Sequence, residues 1–136
     1  KNGCDGLVFG RVDFVKSMHF SRKIVDNDKI TLYAEKISSE CKRASLDLVL
    51  GGAISHSSIS VLKKLKSIKL DRYETRKIVF VSDFIESKAL NLSLNDAINF
   101  ELLWLLNKRE YYKTIYEEDD QRIKMLKERL DFSINS

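Results

Sequence analysis

Leu7-Val8-Phe9-Gly10-Arg11-Val12-Asp13-Phe14 decides the reading of the chain. Leu7 to Phe9 is a short apolar run with a β-branched centre, the pattern of a buried strand. Gly10 ends the run where the backbone must turn or be closely approached. Asp13 follows three residues later. A buried strand that stops at a glycine and then presents an acid is how an α/β protein builds a site at the C-terminal end of a strand.

The same grammar recurs downstream. Leu46 to Leu50 reads as a second buried strand, ended by Gly51-Gly52, and Arg72 to Val81 holds a third, ended by Ser82-Asp83. Between the first two, Asp26-Asn27-Asp28 offers N-cap residues, and Ile30, Ala34, Ile37 and Cys41 recur at helical spacing, which predicts a helix over about 27–43. Ser55-His56-Ser57-Ser58 caps another, with Ile59, Leu62 and Leu65 inward and Lys63, Lys64 and Lys66 outward. Phe14 to Arg22 reads as a loop or a short helical turn. Strand and helix alternate at a spacing that implies parallel strands joined by right-handed crossovers. Three such strands are too few for an open sheet covered on both faces. They suit three consecutive units of an eight-stranded (β/α)8 barrel. The expected fold is therefore α/β: the C-terminal part of a TIM barrel over residues 1–83, followed by a C-terminal helical segment over residues 84–136.

From Ser93 the character changes. Ser93 and Asp96 have capping-box spacing. Leu94, Ala97, Ile98, Phe100 and Leu102 to Leu106 then wrap most of the way round a helix, which must be covered on several sides. Glu117-Glu118-Asp119-Asp120 places negative charge where a last helix, about 119–131, would begin. The helix over 93–107 is expected to hold the chain in a homo-oligomer, since one stripe suffices to close its own core and the remainder would leave an apolar patch in water.

Composition narrows the class. The 136 residues are 43% hydrophobic and 32% charged, the balance of a folded chain. No apolar stretch approaches the roughly 20 residues that span a bilayer, and no secretory h-region is visible. Two cysteines, Cys4 and Cys41, make no disulfide framework and have no metal-ligand spacing, so a cytoplasmic location is expected. A formal net charge of +4 with interspersed signs, and no aromatics among the basic residues, argues against nucleic acid as a partner. Lys1 to Gly6 runs almost at once into a strand with no initiator Met and nothing to cover it. The chain is thus expected to be the C-terminal part of a longer protein.

Phe9-Gly10-Arg11-Val12-Asp13-Phe14, followed by Ser17 and Ser21-Arg22, resembles the motif after the sixth barrel strand of the HpcH/HpaI aldolase and citrate-lyase β-chain family. Leu48-Val49-Leu50-Gly51-Gly52-Ala53-Ile54-Ser55 is similar to that family's next strand, and Arg72-Tyr73-Glu74-Thr75-Arg76-Lys77-Ile78-Val79-Phe80 to its last. The resemblance covers nearly the whole chain but only the C-terminal half of the family's barrel. It implies a carbon–carbon lyase that acts next to a 2-oxo acid or an acyl-thioester, with Mg2+ (or Mn2+) as cofactor. It implies that Asp13 is a metal ligand and that backbone groups of Gly10, Arg11, Val12 and Asp13 receive the substrate. A hard cation takes one or two carboxylates plus substrate and water, and beside a 2-oxo acid it stabilises an enolate. The family's second metal carboxylate and its catalytic arginine come from earlier strands and have no counterpart here, so no catalytic residue is assigned and this chain alone is expected to be inactive.

Other residues carry bland alternatives. Asp13 could cap a turn. Arg11 could bind a carboxylate bidentately or sit in a rim salt bridge. His19 and His56 fall after strands, where a general base would stand, yet loop or cap positions are commoner for such histidines. Glu74 and Arg76 sit early in their strand and suit a structural ion pair. Ser17 suits a cap, Lys63, Lys64 and Lys66 a solvated helix face, and Trp104 packing. The competing function is a non-catalytic half-barrel that binds a partner or assembles through its 94–106 helix.

Overall fold

Strand and helix alternate along the first part of the chain, in a computed structural model that describes residues 3–134 and the side chains of residues 3–130. Strand β1 (Gly6–Gly10) runs into helix α1 (Arg11–Ser17), then α2 (Asp28–Ala44), β2 (Asp47–Gly51), α3 (Ile59–Ile68), β3 (Arg72–Glu74), β4 (Val79–Val81) and α4 (Leu90–Ile134). Two compact units result, Lys1–Phe100 and Glu101–Ser136. Lys1, Asn2, Asn135 and Ser136, at the ends of the two expected segments, lie outside the described residues.

Local chemistry sets these boundaries. Asn27 caps α2 by accepting the Lys29 N–H at 2.9 Å, and Ser45 ends it in the left-handed conformation (φ 56°). Ile30, Ala34, Ser38 and Cys41 form its buried stripe. Ser38 Oγ donates to the Lys69 carbonyl at 2.6 Å, which ties α2 to the entry of β3. Asp71 accepts the Leu48 N–H at 2.8 Å and pairs with Lys69 at 2.9 Å.

The sheet order is β1-β2-β3-β4, with β1, β2 and β3 parallel and β3–β4 antiparallel. Phe9, Leu50, Tyr73 and Phe80 stand in one row across it and face the core with Leu48, Leu62 and Leu65. Side chains alternate between faces along a strand. Val8, Val49, Arg72 and Val81 therefore form the opposite row, where Val8 is 66% and Val81 62% exposed.

The barrel expectation is overturned by this topology. A (β/α)8 barrel is all-parallel and closed, whereas this sheet is mixed and open, with β1 and β4 as its edges. The cause lies at Thr75–Ile78. The Thr75 N–H donates to the Ile78 carbonyl at 2.9 Å, and the Ile78 N–H donates to Thr75 Oγ1 at 3.1 Å. These bonds fold the single strand expected over 72–81 into a hairpin. The first strand departs from expectation as well: Phe9 is buried, but Leu7 and Val8 are exposed, because β1 is an edge with one uncovered face.

The two helices expected after residue 93 are one. Ser87 Oγ accepts the Ala89 N–H at 3.1 Å, and α4 begins at Leu90, so Ser93 lies inside the helix. The acids at 117–120 lie inside this continuous helix, with lysines one turn away on either side of them. Lys113 reaches Glu117 at 3.9 Å and Lys124 reaches Asp120 at 2.9 Å. Among the described residues, no helix is long and apolar enough to cross a membrane.

Candidate functional site

Gly10 and Gly51 are register partners at the C-terminal ends of β1 and β2, and two loops leave the sheet there. After Gly10 the chain turns directly into α1, so Arg11 and Asp13 occupy that helix's first turn. After Gly51, Gly52 (φ 87°) and Ala53 (φ 54°) turn the backbone through the left-handed region. A Cβ at Gly52 would lie 2.6 Å from the Val12 nitrogen and 2.8 Å from that of Arg11. Only glycine allows this loop to seat on the first turn of α1.

Arg11 holds that junction from inside. Its side chain is 1% exposed. Nη1 donates to Asp26 Oδ1 at 2.6 Å, and Nη2 donates to the Gly52 carbonyl at 2.9 Å and to Ser58 Oγ at 3.0 Å. Asp26 also accepts from Ser57 Oγ at 2.7 Å and from Ser58 Oγ at 3.2 Å. One guanidinium thus joins the start of α1, the residue before the α2 cap, and the turn before α3. Burial alone would push the Asp26 carboxyl up. The hydrogen bonds from Ser57, Arg11 and Ser58, with the Arg11 charge, outweigh it and hold the carboxyl below its ordinary value. Burial pulls the Arg11 guanidinium down from its ordinary value, against the opposing pull of Asp26. Arg11 Nε is buried and has no hydrogen-bond partner among the described residues.

Two carboxylates lie over the glycines. A Cβ at Gly10 would stand 3.2 Å from Asp13 Oδ2, and one at Gly51 would stand 3.0 Å from Glu74 Oε1. By strand alternation, Gly10, Gly51 and Glu74 point to the face opposite the core. The fold therefore brings Asp13 and Glu74 to neighbouring positions on one side of the sheet. Glu74 makes no ion pair among the described residues, in place of the structural pair expected for it. Among the described residues no group of three or more His, Cys, Asp or Glu side chains is placed to hold a metal. Two hard oxygen donors still suit a Mg2+-type ion that keeps water and substrate as its other ligands.

The remaining candidates are not gathered here. His19 (φ 57°) and His56 are exposed, and neither side chain has a hydrogen bond among the described residues. Ser17 Oγ donates to the Phe14 carbonyl at 2.7 Å. Lys64 pairs with Glu35 at 3.7 Å, and Lys66 with Asp83 at 3.4 Å. Cys4 and Cys41 are free thiols, one exposed and one buried. Sequence reasoning missed Asp26, Ser57 and Ser58 as partners of Arg11. Asp26 stood in a run of three cap-forming residues, and nothing in that run marks which one turns inward. No protein-family model, curated protein or solved structure matches the chain.

Proposed function

We propose that the strand ends of unit 1 are the metal-binding portion of a carbon–carbon lyase site. Asp13 holds Mg2+ or Mn2+, and the backbone of Gly10, Arg11, Val12 and Asp13 receives a 2-oxo acid or an acyl-thioester. The observation that carries this reading is the pair of carboxylates, Asp13 and Glu74, over two adjacent glycines with no side chain to intrude. A cation bound there would supply charge to stabilise an enolate. The chain's own residues position rather than react. Arg11, Asp26, Ser57 and Ser58 lock the two strand-end loops together, while Glu74 adds a second oxygen donor on the Asp13 side. The reading includes a cytoplasmic setting, where Cys4 and Cys41 stay reduced.

Mn2+ titration of the full chain by electron paramagnetic resonance tests the site. Saturable binding is expected, tightened by pyruvate, weakened tenfold or more by Asp13→Asn and less by Glu74→Gln. An Asp13→Asn variant with unchanged affinity, or a wild-type chain that binds no Mn2+, would sink the assignment. No arginine of the resemblance's catalytic type is provided by this chain, so Mg2+-dependent product release by the chain alone is not expected. The alternative is a non-catalytic binding or assembly module. It is favoured by the commitment of both terminal nitrogens of Arg11 to internal partners, and under it Mn2+ binding is absent while the fold and its loops persist.

A further inference from the structure

Unit 2, Glu101–Ser136, is helical throughout its described length, and nearly every side chain described in it is exposed. In proteins most of a helix's stability comes from the packing of an apolar face. At 100° per residue, Trp104, Tyr112, Ile115, Ile123, Leu126 and Leu130 fall within an arc of about 100°, the width of a packing stripe. All six are between 37% and 62% exposed. A largely apolar, exposed stripe of this length calls for a cover.

Four charges fall on the same arc, Glu101, Lys108, Asp119 and Arg122, and the oppositely charged pair Lys108 and Asp119 indicates the cover. Lys108 and Asp119 share its midline, eleven residues apart, and an eleven-residue step returns to nearly the same helix angle. Lys108 Nζ lies 5.2 Å from the Trp104 ring centroid and 5.6 Å from that of Tyr112, so its charge stands among the stripe's aromatics. We propose that a second copy of this chain covers the stripe in antiparallel orientation, with Lys108 of each copy opposite Asp119 of the other. The two-fold axis then passes between Lys113 and Thr114. Tyr112 meets Ile115 and Trp104 meets Ile123, each twice by symmetry. The overlap from Glu101 to Leu126 is about 39 Å long.

The alternatives are poorer on the same observations. Parallel, in-register pairing stacks Glu101 on Glu101, Lys108 on Lys108 and Asp119 on Asp119, and like charges in a seam repel. The other antiparallel register, Lys108 opposite Glu101, centres near Trp104 and calls on Leu94 and Ala97. Those two side chains are 0% and 4% exposed, being already part of unit 1. The proposal is independent of the strand-end site and of its metal.

Sedimentation equilibrium of the full chain at micromolar concentration is the test, with four proteins compared. Wild type should sediment at twice 15.8 kDa. Lys108→Glu and Asp119→Lys each turn two attractive contacts into two repulsive ones and should weaken dimerisation tenfold or more. The double variant Lys108→Glu/Asp119→Lys should recover it, as should an equimolar mixture of the two single variants, in which both contacts become attractive again. Parallel pairing predicts no difference among the four, because each homodimer then places like on like. A wild-type monomer across the concentration range, equal dissociation constants for all four proteins, or failure of both the double variant and the mixture to recover would each overturn the proposal. Circular dichroism at matched concentrations separates loss of pairing from loss of folding, since a wild-type dimer should lose helicity on dilution.

Discussion

Arg11 places a permanent charge where almost no water reaches, and the three segments around it supply the compensating oxygens. Removing it strands Asp26 and the Gly52 carbonyl, so Arg11→Ala should cost about 3–5 kcal/mol in urea unfolding. Arg11→Lys should recover little, because one ammonium cannot span the same fork. Asp26 adds a pH signature. Its folded pKa lies below the ordinary value, so the stability it contributes is full above about pH 4 and is lost as pH falls through the depressed value. Asp71 is lowered too: burial opposes, but Lys69 and the Leu48 N–H prevail. The urea midpoint should therefore drop in acid, and Asp26→Asn should flatten that drop in part while Asp71 retains its share. An unchanged acid profile in Asp26→Asn would contradict the linkage. Tyr73 shows the opposite chemistry. Its ring stacks on Phe80 at 5.1 Å, but its hydroxyl is buried with no partner among the described residues, and burial pushes its pKa to about 12. Tyr73→Phe keeps the packing and removes an unsatisfied group. It should raise stability by about 1 kcal/mol in the same assay, and a marked loss would mean the hydroxyl has work to do.

Single turns decide the elements. The β2–α1 junction depends on Gly52, where φ is 87° and a Cβ would meet two backbone nitrogens. Gly52→Ala should cost more than about 1–2 kcal/mol, since left-handed strain and a backbone clash combine. Gly3→Ala, also at positive φ but with open space around it, should cost less. Equal thermal shifts for the two would show that the α1 contact does not matter. At residues 75–78, Arg76 and Lys77 interrupt the apolar alternation, and the Thr75 hydroxyl is there to accept a turn N–H. A polar interruption inside a strand-like run does not by itself say whether the chain continues or turns back, which is why the hairpin was not legible in the pattern. The run from Leu90 to Ile134 has no glycine or proline to end it. Its acidic cluster looked like a helix start only while the lysines at 113 and 124 were left out of account.

Across the whole molecule the two units differ in what holds them. Unit 1 has a core around Leu48, Leu50, Leu62, Leu65 and Tyr73, and Leu62→Ala should cost about 2–5 kcal/mol by thermal unfolding. In unit 2, Leu103 is 56% exposed and lies off the apolar stripe, so Leu103→Ala should stay within about 0.5 kcal/mol. Similar losses at the two positions would require a cover over Leu103 that the stripe does not account for. The strand-end site should behave unlike either. Asp13 is exposed, and its replacement is expected to change ligand binding without moving the melting temperature.

The sequence by itself determined the alternation of strand and helix through Ile68, the parallel pairing it implies, and the glycine-ended strand with Asp13 beyond it. These follow from local signals: periodicity, caps, and backbone freedom at single residues. Tertiary structure alone decided which of Asp26, Asn27 and Asp28 turns inward, that the Arg11 side chain is spent on its own fold, and that Glu74 stands beside Asp13. It also decided that the sheet stays open. Those outcomes depend on which strand becomes the neighbour of which, and on whether segment 72–81 finds more hydrogen bonds extended or folded back on itself. Residues far apart in sequence compete for the same backbone groups, and local pattern carries no record of which of them wins.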